Sequence, residues 1–86
     1  MDADGRGALA EARDALAEVD PWDVEHIEVA LRAVIEARHA KPKDVFQPLR
    51  VALAGTTVSP GIFETIAVMG RDEVLARVDS ALAAGA

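Results

Sequence analysis

Hydrolysis by a Ser-His-Asp arrangement needs a serine presented on a tight turn beside a histidine. The only serines, Ser59 and Ser80, fall instead at a helix cap and inside the last helix. His26 and His39 are thirteen residues apart with no paired ligand spacing, and there is no cysteine, so no metal site is expected. The carboxylates Asp14, Glu18, Glu25, Glu28 and Glu36 read as solvated outer faces of helices. No catalysis by these 86 residues and no cofactor are therefore expected. What remains is a cationic stretch, Arg38, Lys41, Lys43 and Arg50, with His39 among them and only Asp44 as a nearby acid. It leads into the segment Gln47 to Phe63, where two helix boundaries converge, and that segment is the candidate working surface.

Charge and composition narrow the partners. The formal charge of −6 disfavours adhesion to nucleic acid or anionic lipid by charge alone. Residues 1–36 carry ten acids and three bases, whereas residues 37–86 carry five acids and six bases, so a polyanion would meet the second half. The amino-terminal stretch holds Asp2, Asp4 and Glu11 with no continuous apolar run, unlike a secretory signal, and nothing approaches a membrane span. A soluble, cytoplasmic protein with no membrane partner is expected. Apolar residues make up 51%, much of it alanine, and the aromatics are only Trp22, Phe46 and Phe63, which gives a thin, helix-biased core for one domain.

The elements that must position the segment follow from periodicity and punctuation. Leu9, Ala12, Leu16 and Val19 predict a first amphipathic helix from about Arg6 to Val19. Asp20-Pro21 predicts a cap and a first helical proline, with Asp23 in the first turn of a second helix whose buried stripe is Val24, Ile27, Leu31, Val34 and Ile35. The two form an antiparallel hairpin over about 6–39 with Trp22 at its corner. Lys41-Pro42 disfavours helix at Lys41, and Asp44 with Gln47 makes a capping-box pattern, so a third helix is expected from near Val45, with Pro48 in its first turn and Gly55 as its stop. Thr56-Thr57-Val58 reads as a connector. Ser59-Pro60 repeats the cap-then-proline signal and predicts a fourth helix to Met69, stopped by Gly70. Asp72 and Glu73 open a fifth, with Val74, Leu75, Val78 and Leu82 inward and Ala83 to Ala86 fraying. The expected fold is all-α: about five short helices in a single domain over 1–86, a hairpin followed by three short helices over about 44–83.

Two familiar helical designs fit poorly. Asp79-Ser80-Ala81-Leu82 is superficially similar to the attachment site of acyl-carrier proteins, but Ser80 lies late in the last helix and Ala81 replaces the expected leucine. A helix-turn-helix reader would present Ile62, Phe63, Ile66, Val68 and a glutamate to a DNA groove, which is the wrong chemistry. The run Gln47-Pro48-Leu49-Arg50-Val51-Ala52-Leu53-Ala54-Gly55, then Ser59-Pro60-Gly61-Ile62-Phe63-Glu64, then Val68-Met69-Gly70-Arg71-Asp72, is more specific. It resembles the end of bacterial glutamyl-tRNA synthetase, where a Pro-Leu-Arg-x-Ala-Leu-x-Gly helix, a Ser/Thr-Pro-Gly-Leu-Phe-Glu helix start and a Leu-x-Gly-[Arg/Lys]-[Asp/Glu] run follow one another. Lys41-Pro42-Lys43-Asp44-Val45-Phe46 and, upstream, Trp22, Ile27, Glu28, Leu31 and Arg32 also look like that family, so the likeness spans nearly the whole chain.

The resemblance implies the carboxy-terminal part of a class I synthetase anticodon-binding helical domain, reading glutamate tRNA through its anticodon loop. Splayed single-stranded bases are read by a few placed donors and apolar walls, which suits an acidic protein. By resemblance, Arg50 contacts the anticodon, Ser59 stands where the family has Ser or Thr, and Ile62 where it usually has Leu, with Gln47, Pro60 and Phe63 shaping the same pocket. Arg50 offers a planar fork of donors and a stacking face, and the helix start at Ser59 to Ile62 offers free amides. Two departures stand out: Ile62 is β-branched and stiffer than Leu, and Ala54 stands where many relatives carry Thr. The nucleotide-binding signatures of the synthetase are absent, so a catalytic synthetase domain, where there is one, is supplied by other residues. An upstream helical cage that also contacts the anticodon is lacking, so weak binding in isolation is expected. The rival expectation is a freestanding protein-interaction module that keeps the fold without binding RNA.

Overall fold

A computed structural model describes residues 3–53 and 61–84. Five helices follow one another: α1 (Ala3–Ala17), α2 (Val24–Ala37), α3 (Pro42–Ala52), α4 (Ile62–Met69) and α5 (Arg71–Ala84), with no strand among the described residues. The all-α expectation holds. α1 packs against α2, α3 and α5, α2 also meets α3 and α4, α3 meets α5, and α4 lies on α5. The Ala-rich α1 takes this central place through Ala8, Leu9, Ala12 and Leu16, small enough in part for three neighbours to approach closely. The core they enclose holds Ile27, Leu31, Val45, Leu49, Ile66, Val74 and Val78, all fully buried. At about 25 cal/mol per Å² of apolar surface removed from water, burial of this kind is what holds helices too short to persist alone.

Helix starts differ from the sequence expectation in α1, α2, α3 and α4. α1 begins at Ala3 and ends at Ala17, while Val19, beyond its end, is still buried. The N-cap of α2 is Asp23, not Asp20, and its carboxylate accepts the His26 amide at 2.8 Å. Pro21 and Trp22 thus belong to the corner rather than the helix. Val24, expected inward, sits at the rim with 37% of its surface exposed, while Ile27, Leu31, Val34 and Ile35 are buried as expected. α3 starts at Pro42, three residues early: Lys41 is extended (φ −89°, ψ 154°), as a residue before proline should be, and the Asp44 carboxylate reaches back to accept the Lys41 amide at 3.0 Å. Asp44 is therefore the third residue of the turn rather than its cap. In consequence Pro48 falls inside the helix instead of in its first turn, where its ring is buried between Val45 and Leu49 of the same core-facing side. α4 has Gly61 as its N-cap; Ser59 and Pro60, expected to open it, and the expected stop at Gly55 lie outside the described residues.

α4 and α5 are separated by one residue, Gly70, at φ 91° and ψ 153°. That conformation is open essentially to glycine alone, which is why the chain can reverse so sharply there. Immediately after it, the Arg71 guanidinium lies 5.3 Å from the Trp22 ring centroid and donates to the Val19 carbonyl. This contact pins the start of α5 to the α1–α2 corner. Trp22 is at that corner, as expected, half-buried against the core. α1 and α5 are also bridged at the surface by Arg13 and Asp79 at 2.9 Å.

Candidate nucleic-acid interface

The candidate residues divide by environment. Gln47 and Arg50 are exposed on α3, three residues apart and hence on one face of the helix. Ile62, the first residue of α4, is only 7% exposed and belongs to the core, so its side chain gives shape from beneath while its amide lies in the first turn, where no intrahelical acceptor exists. Phe63 is half-buried and meets Phe46 of α3 edge to face, with centroids 5.5 Å apart and planes at 83°. This aromatic pair ties the start of α4 to α3 and so fixes where Arg50 stands relative to it. Ser59 and Pro60 lie outside the described residues.

Arg50 sits in the last turn of α3, where a cation also suits the helix dipole. It makes no hydrogen bond or ion pair with any described residue, in contrast to most arginines of the chain. Arg13 is held by Asp79, whose hydrogen bond and charge raise the guanidinium pKa further above its ordinary value. Arg32 pairs with Glu28 at 2.7 Å and Arg77 with Glu73 at 2.6 Å, each one helical turn away. Arg38 pairs with Glu11 of α1, and Gly7, lacking a Cβ, leaves room for that guanidinium against the helix. Beside these, Arg71 is occupied by Trp22 and the Val19 carbonyl.

A cleft of about 630 Å³ opens between the start of α1, the α2–α3 connector and α3. Gln47, Lys43 and Asp44 line one wall, Arg38 and His39 the connector, and Asp4 the far side. The left-handed backbone of His39 (φ 52°) turns the chain at the end of α2 and opens the cleft. The sequence marks these cations as its most basic stretch; that they line a cleft together with Gln47 comes from the fold, and the only local trace of it is the Lys43–Gln47 spacing of four. Among the described residues, no group of three or more His, Asp or Glu side chains comes together to hold a metal ion. No described helix is long and apolar enough to cross a membrane.

An all-α fold whose exposed amide and arginine share one helix face, beside a polar cleft, defines a binding domain. The family can be stated more closely: the chain belongs to the anticodon-binding domains, for the family model described as "Anticodon binding domain" matches residues 1–82. It is similar to a glutamate–tRNA ligase of Bradyrhizobium sp. (strain BTAi1), 49% identical over 75 residues that make up 87% of this chain and 16% of the relative. Similarity to glutamate–tRNA ligase 2 of Rhizorhabdus wittichii is 45% over 82 residues, covering 95% of this chain and 17% of that protein. A glutamate–tRNA ligase of Nocardioides sp. (strain JS614) is 45% identical over 83 residues, again 95% and 17%. The chain thus spans about one-sixth of the length of these relatives and matches their non-catalytic, anticodon-binding end. Membership of this family implies tRNA binding.

Proposed function

We propose that this chain reads the anticodon loop of glutamate tRNA in the cytoplasm as one helical domain, for aminoacylation by a catalytic synthetase domain made of other residues. The observation that carries the reading is Arg50: exposed, without a partner among the described residues, and one turn of α3 beyond Phe46, whose ring meets Phe63 at the start of α4. Agreement with glutamate–tRNA ligases over most of the chain supports the same choice of RNA. In this reading Arg50 presents its planar fork to an unstacked base, Gln47 supplies a second donor and acceptor, and Ile62 and Phe63 at the start of α4 shape the pocket, to which the family likeness adds Ser59 and Pro60. Four of the other arginines are taken up by internal ion pairs and the net charge is −6, so affinity comes from a few placed groups rather than from a basic field.

An electrophoretic titration with glutamate tRNA and with the same tRNA carrying a substituted anticodon tests this. The unsubstituted chain should prefer the first, and Arg50→Ala should cost about 1–3 kcal/mol of that preference, as loss of a base-reading arginine does. Equal binding of both tRNAs would favour a protein-interaction module, whereas a preference untouched by Arg50→Ala would reject the assignment of Arg50 alone.

A further inference from the structure

Lys43, Gln47 and Arg50 stand at positions i, i+4 and i+7 of α3, and all three are exposed. At 3.6 residues per turn they form one stripe, with about 10 Å between Lys43 and Arg50 along the axis. Val51, four residues after Gln47 and 63% exposed, flanks the same face with an aliphatic surface. Like Arg50, Lys43 makes no ion pair or hydrogen bond with a described residue. Its sequence neighbour Asp44 has turned its carboxylate back onto the Lys41 amide, and the residue one turn ahead, Gln47, is neutral. Four arginines are paired with carboxylates elsewhere, whereas Lys43 and Arg50, both exposed, leave unpaired positive charge along α3. The stripe borders the cleft lined by Lys43, Gln47 and His39, while Asp4 on the far wall keeps the cleft from being a closed anion cage. With Asp4 across from Lys43 and Asp44 beside it, the cleft suits a strand that runs past Lys43 rather than an enclosed anion.

We propose that this face of α3 is a track for the ribose–phosphate backbone of single-stranded RNA, with Lys43 as its phosphate contact, about two helical turns from the base addressed by Arg50. The inference rests on the anticodon-binding reading and extends it from base recognition to backbone placement. A lysine suits this role because it contacts phosphate as a mobile point charge, without the base-specific geometry of an arginine fork. Lys43 is thereby a positioning residue: it sets the register in which the loop reaches Arg50 and carries no sequence information itself.

Fluorescence anisotropy of the full chain with a hairpin RNA bearing the glutamate anticodon loop, and with one bearing a substituted loop, tests the track over salt from about 50 to about 200 mM. Lys43→Ala should weaken both hairpins equally, by about fivefold near 0.1 M salt, and flatten the log–log salt slope by about 0.7, the value for one phosphate on a single strand. Lys43→Arg should restore the slope. Lys41→Ala removes the same charge from the residue before the helix, which does not line the cleft, and should leave the slope unchanged; an equal flattening would show general attraction and overturn the track. A slope unaltered by Lys43→Ala also overturns it, while the anticodon reading survives if the two hairpins are still distinguished. A flattened slope without any distinction between hairpins keeps the track and rejects the anticodon reading. Failure of the unsubstituted chain to bind either hairpin rejects both.

Discussion

Asp23 is the residue whose ionisation state matters most visibly to the fold. Its Oδ1 accepts the His26 amide at 2.8 Å and lies 2.7 Å from the His26 ring Nδ1. The backbone hydrogen bond, followed by the side-chain one, holds the carboxyl below its ordinary value of 3.8. A group with a lowered folded-state pKa stabilises the fold above its ordinary value, and that contribution disappears as pH falls through the lowered one. Asp23→Asn keeps a capping oxygen without a titrating group. Thermal melts should therefore run parallel for the two proteins near neutrality, and the aspartate protein should lose Tm relative to the asparagine variant only below about pH 4. Curves that stay parallel to the lowest pH would show that the cap does not depend on charge. At this scale the sequence was legible in part. Gln47 and Arg50 entered through the family likeness, and their exposure beside buried Pro48 and Leu49 is what the structure adds. The burial of Ile62 follows from Ile66 one turn later, but the family likeness had drawn attention to its site role instead. The short ranges over which Arg71 finds Trp22 and Arg38 finds Glu11 connect residues far apart in sequence, and no local pattern encodes them.

Among the elements, the type and order of the helices were readable because apolar spacing and Gly or Pro punctuation agree. Their starts were less so, since each start carries two competing signals. Asp20-Pro21 and Asp23 both open a helix in principle, as do Pro42 and the Asp44–Gln47 pair. In α2 the later signal prevails, because Asp23 finds the His26 amide and leaves Trp22 free to pack at the corner. In α3 the earlier one prevails, because Pro42 occupies the first turn and Asp44 closes it backwards. Tertiary packing decides such ties, and a local pattern cannot. Gly70 carries no such ambiguity. A Cβ built there meets nothing within 4 Å, so the demand for glycine comes from φ 91° and not from crowding. Gly70→Ala should cost about 1–3 kcal/mol in urea unfolding, with an unchanged m value. A cost near zero would mean that the turn relaxes freely and that the reversal between α4 and α5 is not set by this residue.

For the whole molecule, the arrangement separates two tasks. α1 and α5, bridged by Arg13–Asp79, and α2, held to α5 through the Trp22 corner, build a small scaffold, with Cα atoms spread over 29 × 28 × 23 Å. α3 and the start of α4, joined by the Phe46–Phe63 contact, present the polar and cationic groups that the scaffold leaves unpaired. The protein's acidity is compatible with RNA binding because its acids lie mainly in the first half, and several are matched to arginines there and in α5. RNA should meet the chain along α3 and the first turn of α4. Amide chemical-shift mapping during titration with the glutamate anticodon hairpin reads this directly. The largest changes should fall at Lys43 to Leu53 and Gly61 to Phe63, with α5 from Val74 onward nearly silent. Changes centred on α5 or on the outer face of α2, with α3 unmoved, would place the RNA on a different surface and rule out α3 as its seat.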